Sequence, residues 1–342
     1  MNSLERIREL KETGRTDRVI TCPFIDLVGA QLIGEKIRNI NFSSRLMADL
    51  KIETYRQFGH DSLTIGPVLY GVAEALGVVL EFPMDSHPYV KECLELDYEN
   101  IDLLPVCDSK KDGRLPIFLE GLEILIEEIS DKVSIGSSVA GPFTTAATVI
   151  GIEKFLKDIR KNPQGVHALL DRVTKSVLNY MDAVMDLGIV PTIPDPVASG
   201  MLISTKTFRE FVFPYLEICT EHIRCRMGRG PTLHICGTTK KHWLEMKKLN
   251  LSALSLDNID DIGEACNVLG DKFCIIGNVD PVEVILNGTR ESIHKAVKEC
   301  IEKAYRNPKG FILSSGCDIP AKTSPKNLEY FMEAARLYSR FK

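Results

Sequence analysis

Eight short apolar segments, separated by longer stretches with helical periodicity, are the feature that most limits how this chain can fold. Segments of this length that alternate with amphipathic helices are typical of β-strands that pair in parallel. The closed arrangement of eight such units is the (β/α)₈ barrel. The sequence therefore predicts an α/β protein with a single (β/α)₈ TIM barrel, and its strands are predicted at 19–25, 62–66, 133–139, 188–193, 232–236, 251–256, 273–277 and 311–315.

The stretches between these segments carry the signals that start and stop helices. Thr289 is predicted to cap a helix that runs to about Arg306, and Ser324 precedes a proline in the way expected of an N-cap. Gly270 is predicted to end another helix in the C′ position. A doubly wound open sheet is the alternative, but no Gly-x-Gly-x-x-Gly turn follows the first predicted strand.

The chain of 342 residues shows no low-complexity linker, which predicts one domain. Residues 1–16 are predicted to form an N-terminal helix outside the barrel, and 17–342 are predicted to form the barrel itself. The stretch 80–118 is rich in proline, aspartate and lysine. We expect it to be an irregular insertion between the second and third strands.

Charge and composition argue against several classes of partner. The net charge of −5 and the absence of a long basic run argue against nucleic-acid binding. Residues 133–152 carry no charge, but ten of these twenty residues are Gly, Pro, Ser or Thr, which favours a buried strand and its loop over a membrane span. The first residues lack the apolar core of a secretory signal, and ten cysteines at irregular spacing do not resemble a secreted disulfide framework. We therefore expect a cytoplasmic protein without membrane contact.

Three side chains at predicted strand ends suit a metal. His234 and Cys236 are two residues apart, so both point to the same side of one strand. Cys317 follows the last predicted strand, at the end of the barrel where active groups of this fold collect. One imidazole and two thiolates suit Zn²⁺, and three protein ligands leave a fourth position open for chemistry. The residues alone leave open a second interpretation, in which these are core cysteines and a hydrogen-bonded histidine.

Six segments give the chain a family resemblance over nearly its whole length: VAGPFT at 139–144, DPVAS at 195–199, LHICG at 233–237, LSLD at 254–257, IGNVDP at 276–281 and SGCDIP at 315–320. Through them it resembles the uroporphyrinogen decarboxylase superfamily, and within it the zinc-dependent corrinoid methyltransferases. In that branch the His-x-Cys pair and the late Gly-Cys supply the zinc ligands. The resemblance therefore implies that His234, Cys236 and Cys317 bind Zn²⁺ and act in catalysis.

The resemblance also implies the reaction. A methyl group would move between a corrinoid, such as methylcobalamin, and a small substrate, either a thiol such as coenzyme M or a methoxylated or methylamine-type donor. No histidine of the chain lies in an Asp-x-His-x-x-Gly segment of the kind that holds a corrinoid. The corrinoid is therefore expected on a separate small protein that docks over the barrel mouth.

Two alternatives remain. Uroporphyrinogen decarboxylases carry an arginine-bearing segment after the first strand, but residues 23–31 hold no cation here, and Val68 stands where those enzymes have an aspartate. A decarboxylase acting on a porphyrinogen is therefore the less favoured function. The second alternative is a purely structural zinc site with four protein ligands.

Four further residues are weaker candidates for substrate binding. Asp195 follows the fourth predicted strand and either orients a zinc ligand, contacts the substrate or caps local backbone. Asp257 and Asn278 also lie at strand ends that face the predicted mouth. Gly141, followed by proline, either leaves room for the corrinoid or forms a tight turn.

Overall fold

Eight parallel strands form the central sheet of the computed structural model, which describes residues 1–339. They are β1 (Ile20–Thr21), β2 (Ser62–Thr64), β5 (Ser134–Ser138), β6 (Pro191–Pro194), β7 (Thr232–Ile235), β8 (Ala253–Leu256), β9 (Cys274–Val279) and β10 (Phe311–Ser315). Their order around the barrel is β1-β10-β9-β8-β7-β6-β5-β2. Each overlaps one predicted strand, and the predicted (β/α)₈ barrel is confirmed.

Helices surround the sheet and follow its strands. The α-helices are α1 (Ser3–Thr13), α2 (Ala30–Ile33), α3 (Ile37–Ile40), α4 (Ser44–Phe58), α5 (Gly71–Ala75), α6 (Leu115–Ile129), α7 (Pro142–Ile150), α8 (Ile152–Lys161), α9 (Pro163–Asp186), α10 (Thr205–Thr207), α11 (Phe213–Met227), α12 (Trp243–Met246), α13 (Ile262–Leu269), α14 (Arg290–Ala304) and α15 (Pro325–Tyr338). Shorter 3₁₀ or π turns lie at Leu27–Gly29, Tyr98–Leu103, Pro196–Ala198, Phe208–Val212, Lys240–His242 and Pro281–Leu286. Of the helices in residues 1–339, none has both the length and the apolar character needed to cross a bilayer.

Two predicted N-caps form the expected hydrogen bonds. The glycine predicted to end a helix follows that helix, but for a different structural reason. The Thr289 side chain accepts from Ser292 N, and Thr289 N donates in return to Ser292 Oγ, which completes a capping box at α14. Ser324 caps α15 by accepting from Lys326 N. Gly270 follows α13, but its φ of −69° is right-handed. A side chain is excluded there because a Cβ would lie 1.9 Å from Asn307 Oδ1.

Two segments differ from their sequence-based descriptions. The segment 80–118, expected to be irregular, includes most of an antiparallel hairpin formed by β3 (Val79–Glu81) and β4 (Tyr89–Glu92), and its last residues begin α6. The stretch 133–152 holds the expected strand and a short loop at 139–141, but from Pro142, a residue whose fixed φ suits the first helical turn, it continues as α7. The N-terminal helix α1 lies at the end of the barrel where the strands begin, and its Ile7 and Leu10 face the barrel interior.

The barrel is hollow because most of its inward side chains are small, although Ile276 and Ile312 also line the cavity. Alternate residues of each strand point outward, toward the surrounding helices. Large side chains at these positions, among them Leu233, Leu254 and Ile275, are fully buried. The positions between them face the axis, and their lining residues include Thr64, Ser134, Gly136, Thr192, Thr232, Ser255 and Cys274. Barrels of this type are usually filled by branched apolar residues. Here a cavity of about 700 Å³ remains along the axis.

A buried carboxylate joins the two strands at which the sheet is left open. Strands β1 and β2 share no ladder, but Asp61 N donates to Thr21 O at 2.9 Å and Thr21 N donates to Asp61 Oδ2 at 2.9 Å. The same carboxylate accepts from Arg18 at 2.7 and 2.8 Å, from Arg6 at 3.2 Å and from Ser3 at 2.8 Å. Asp61 is 0% exposed, so these donors replace its water. The carboxylate therefore holds α1, β1 and β2 together.

Replacement of this carboxylate should destabilise the fold. Asp61→Asn leaves the two arginines without their shared anion, and loss of one partner of a buried ion pair costs about 3–5 kcal/mol. We expect a fall of that size in the free energy of unfolding, measured by urea denaturation followed by circular dichroism. Asp85→Asn is the matched control, because Asp85 pairs with Lys36 on the surface with 64% of its side chain exposed. Equal stability of the two variants would contradict this role of Asp61.

Candidate metal centre

The three predicted metal ligands meet at the end of the barrel where the strands finish. His234 lies in β7, Cys236 follows that strand directly, and Cys317 follows β10. Their ligand atoms lie within 4.8 Å of one another. Among residues 1–339 this is the one such group of three or more histidine, cysteine or acidic side chains. The structure thus brings together residues that are 81 positions apart in the chain.

The distances fit a tetrahedral ion. Cys236 Sγ lies 3.6 Å from Cys317 Sγ and 3.2 Å from His234 Nε2. Zinc bonds of about 2.3 Å to sulfur and 2.0 Å to nitrogen would separate two sulfurs by about 3.8 Å and a sulfur from a nitrogen by about 3.6 Å. The sulfurs are too far apart for a disulfide, which needs about 2.05 Å. The donor set and its spacing therefore suit Zn²⁺ with small adjustments.

The two thiols share a proton. The hydrogen bond from Cys236 lowers the pKa of the Cys317 thiol, and the same contact raises the pKa of Cys236. The nearby His234 lowers the pKa of Cys317 further. The contact therefore favours the thiolate form of Cys317, and a thiolate is the form that binds metal.

Two neighbours hold the His234 ring. Its Nδ1 lies 3.0 Å from Ser255 Oγ on β8, which leaves Nε2 directed at the sulfurs. Phe24 meets the ring edge-on, with centroids 5.6 Å apart, and Phe24 N in turn donates to Ser315 Oγ at 3.1 Å. A second hydrogen bond on the far nitrogen is the usual way in which proteins orient a metal-binding histidine.

Carboxylates after β8 fix the loop that follows Cys236. Asp257 accepts from Gly237 N at 2.7 Å, and Asp260 accepts from Thr239 N at 2.7 Å. Asn278 donates to the carbonyl groups of Asp257 and Asp260, at 2.9 and 2.7 Å. Gly237 has a φ of +74°, a left-handed conformation that favours glycine. Asp257 and Asn278 thus brace the backbone beside the metal ligands, and both were predicted as substrate contacts.

Close packing explains the glycine before Cys317. A Cβ on Gly316 would lie 2.4 Å from Asn258 N, and Gly316 N donates to Val279 O at 2.8 Å. The chain after β10 therefore leans over the ends of β9 and β8 toward β7. This approach is what brings the Cys317 sulfur to Cys236.

Asp195 and Gly141 form a separate contact next to the centre. The Asp195 carboxylate is fully buried and accepts from Thr144 N at 2.7 Å, at the start of α7. A Cβ on Gly141 would lie 2.3 Å from Asp195 Oδ2, so glycine is required for this packing. Burial raises the pKa of Asp195 to about 6. The structure places Asp195 in the capping role rather than among the metal-binding side chains, and Gly141 makes room for that carboxylate.

The hairpin of the insertion reaches the centre through one ion pair. His87 Nε2 lies 2.9 Å from Asp318 Oδ2, and Asp318 directly follows the ligand Cys317. Burial raises the pKa of the Asp318 carboxyl, and that carboxylate raises the pKa of His87. Lys51 of α4 pairs with Asp26 nearby. The loop between β3 and β4 therefore covers one side of the mouth.

Sequence reasoning missed several of these groups. Ser255 and Asp318 stand inside segments that carry the family resemblance, so their positions in LSLD and SGCDIP were the available signal. Phe24 and Asp26 lie in the segment after the first strand. His87 lies in a loop without a motif, and only the folded hairpin shows that it reaches Asp318.

The chain is similar to known methyltransferases and to uroporphyrinogen decarboxylases. A methylated-thiol:coenzyme M methyltransferase of Methanosarcina mazei is 26% identical over 297 residues, 86% of this chain and 78% of that protein. A methylcobamide:CoM methyltransferase of Methanosarcina barkeri is 27% identical over 303 residues, 86% of this chain and 84% of that protein. Uroporphyrinogen decarboxylases match as well, and the one from Chromohalobacter salexigens is 24% identical over 85% of this chain and 83% of its own.

A solved structure shares the fold over almost the full length. A methyltransferase from Methanosarcina mazei superposes with a TM-score of 0.88 and 24% identity, and the match covers 99% of both chains. The family model described as uroporphyrinogen decarboxylase (URO-D) matches residues 4–338. The chain therefore belongs to the uroporphyrinogen decarboxylase (URO-D) family.

Proposed function

We propose that this protein is a zinc-dependent methyltransferase that moves a methyl group between a corrinoid on a separate small protein and a small substrate. The single observation that carries the proposal is the cluster of His234, Cys236 and Cys317 at the barrel mouth. Active groups of this fold collect at that end. The relatives named as coenzyme M methyltransferases favour a thiol as the substrate.

The ligand set supports catalysis rather than a structural role. Within residues 1–339 the cluster holds three ligand side chains, and structural zinc sites have four. Cys236 and Cys317 are half-buried, so a small molecule can reach the fourth position. Bound zinc would hold a thiol substrate as its thiolate, or act as a Lewis acid on the leaving atom of a methyl donor. The two cysteine sulfurs lower the net charge of the centre, which keeps a bound sulfur nucleophilic.

The same end of the barrel suits a porphyrinogen poorly. Asp26 is the charged residue of the segment after β1, and the nearby cation, Lys51, is already paired with it. Val68, in the position where decarboxylases carry an aspartate, is an apolar side chain with 38% exposure. A substrate with many carboxylates would leave charges unpaired there. Methyl transfer is therefore favoured over decarboxylation.

Exposed apolar side chains surround the mouth and suit a docking protein. These side chains follow strands β2, β6, β8 and β9 or lie at the tip of the hairpin. We call them the apolar rim, which consists of Val68, Met84, Met201, Leu202, Ile259 and Val282. Their exposure ranges from 38% to 68%. Exposed apolar groups around a polar site mark protein interaction surfaces. The corrinoid protein would contact this rim and place its methyl group over the metal centre.

Removal of either cysteine ligand should remove metal and activity together. We expect about one zinc per wild-type chain by elemental analysis. Cys236→Ala and Cys317→Ala should each lose zinc and methyl transfer while their circular dichroism stays that of the wild type. Cys225→Ala is the matched control, because Cys225 is an exposed free cysteine on α11. Turnover near the wild-type rate in either ligand variant would contradict the proposal.

X-ray absorption at the zinc edge should identify the reaction direction. In the thiol-methylating direction, addition of coenzyme M should raise the number of sulfur neighbours of zinc from two to three, since a thiolate takes the fourth position. Zinc that is unaffected by coenzyme M and other small thiols would indicate that a methyl donor is the substrate instead. Coproporphyrinogen formation from uroporphyrinogen would revive the decarboxylase alternative.

Charges placed on the apolar rim should weaken docking. Leu202→Glu and Val282→Glu should raise the KM for the corrinoid protein at least about tenfold, because burying a new carboxylate in an apolar contact is costly. Their rates with free methylcobalamin should fall far less, and zinc content should not change. Leu337→Glu on α15 is the control, with 59% exposure away from the mouth. Equal losses with both corrinoid sources would place these residues in the chemistry rather than in docking.

A further inference from the structure

Four cations surround the opposite end of the barrel, where the strands begin. Lys11 lies on α1, and Arg229, Lys272 and Lys309 precede β7, β9 and β10. All four line the axial cavity, together with Ile7 and Leu10 of α1. Four separate segments of the chain therefore direct positive charge at one opening, which we call the basic opening.

This charge has no protein counter-ion. The one carboxylate that lines the cavity, Asp26, lies beyond the other ends of the strands and is paired with Lys51. Within residues 1–339, none of the four cations of the basic opening forms an ion pair. Lys272 donates to the Lys247 carbonyl group instead. By contrast, Arg6 and Arg18, at the same end of the chain, share the Asp61 carboxylate.

Like charges lie close together at the basic opening. Burial and the neighbouring Arg229 charge lower the pKa of Lys11 to about 8. Burial also lowers the pKa of Arg229. The four side chains remain exposed to solvent, so these shifts reflect a partial loss of water and, for Lys11, repulsion from Arg229. A bound anion would supply the missing partner, and the cavity beside these side chains offers the space.

We propose that the basic opening binds a small, multiply charged oxyanion, with a phosphate or phosphate ester as the chemical class. The four cations match an anion with more than one charge, and an arginine guanidinium can donate two parallel hydrogen bonds to phosphate oxygens. Ser252 and Thr232 also line the cavity, Thr232 three residues after Arg229 in the chain, and their hydroxyl groups add neutral donors.

This site is distinct from the metal centre. Arg229 precedes Cys236 by seven residues of mainly extended chain, or about 23 Å at 3.3 Å per residue. A small anion held by Arg229 therefore does not reach the metal ligands. The proposal stands whether or not the chain transfers methyl groups.

Isothermal titration of the full-length protein with inorganic pyrophosphate and with inorganic phosphate, at constant ionic strength, tests the proposal. We expect one anion per chain, with pyrophosphate bound more tightly than phosphate. Lys11→Gln and Arg229→Gln should each weaken binding at least about tenfold, because each removes one direct charge partner. Arg8→Gln is the matched control, since Arg8 is an exposed cation on the same helix that does not line the cavity.

Other outcomes would overturn the assignment. Equal weakening by Arg8→Gln would show general attraction to a basic surface rather than a site. Absence of binding at millimolar anion, or acetate binding as tight as pyrophosphate, would exclude the phosphate class. Lys309→Gln gives a second variant if Lys11→Gln disturbs α1. Cys236→Ala should bind pyrophosphate like the wild type, which separates this result from any failure of the proposed methyl transfer.

Discussion

The two-residue period of the strands is the constraint on which the rest of this molecule depends. Each barrel strand turns one set of side chains toward the helices and the other toward the axis. The outward set is large and fully buried, as at Leu233 and Leu254, and it supplies the packing between sheet and helices. The inward set is therefore free to be small or functional. Thr232 leaves space at one end of β7, and His234 presents a ligand at the other end.

The loops after the strands complete the cluster of candidate metal ligands. His234 and Cys236 share one strand, but the third ligand arrives because the Gly316 backbone packs against Asn258. The loop after Cys236 is held in turn by Asp257 and Asp260. Buried carboxylates that accept backbone N–H groups cost little when every oxygen is paired, and they fix positions that flexible loops would lose. The metal centre is thus supported by hydrogen bonds from the neighbouring strand end.

The sequence predicted the parts of this structure that follow from local pattern. All eight barrel strands and the caps at Thr289 and Ser324 agree with it, because strand length, periodicity and capping chemistry are local. The proximity of His234, Cys236 and Cys317 followed from fold and resemblance together. Contacts between residues far apart in the chain could not be predicted from the sequence. Gly270 is required because a side chain there would collide with Asn307. The contact of His87 with Asp318 forms only when the hairpin has folded back over the mouth.

A hollow barrel also separates two kinds of electrostatic environment. At the mouth, the environment favours the thiolate form of Cys317, which suits a divalent cation, and carboxylates lie close behind it. At the basic opening, Lys11 and Arg229 carry positive charge without a carboxylate partner. The two ends are too far apart to neutralise each other, since charges more than a Debye length of about 10 Å apart are largely screened where water has access. Each end therefore requires its own counter-ion, and the proposed ones are a metal at the mouth and an oxyanion at the basic opening.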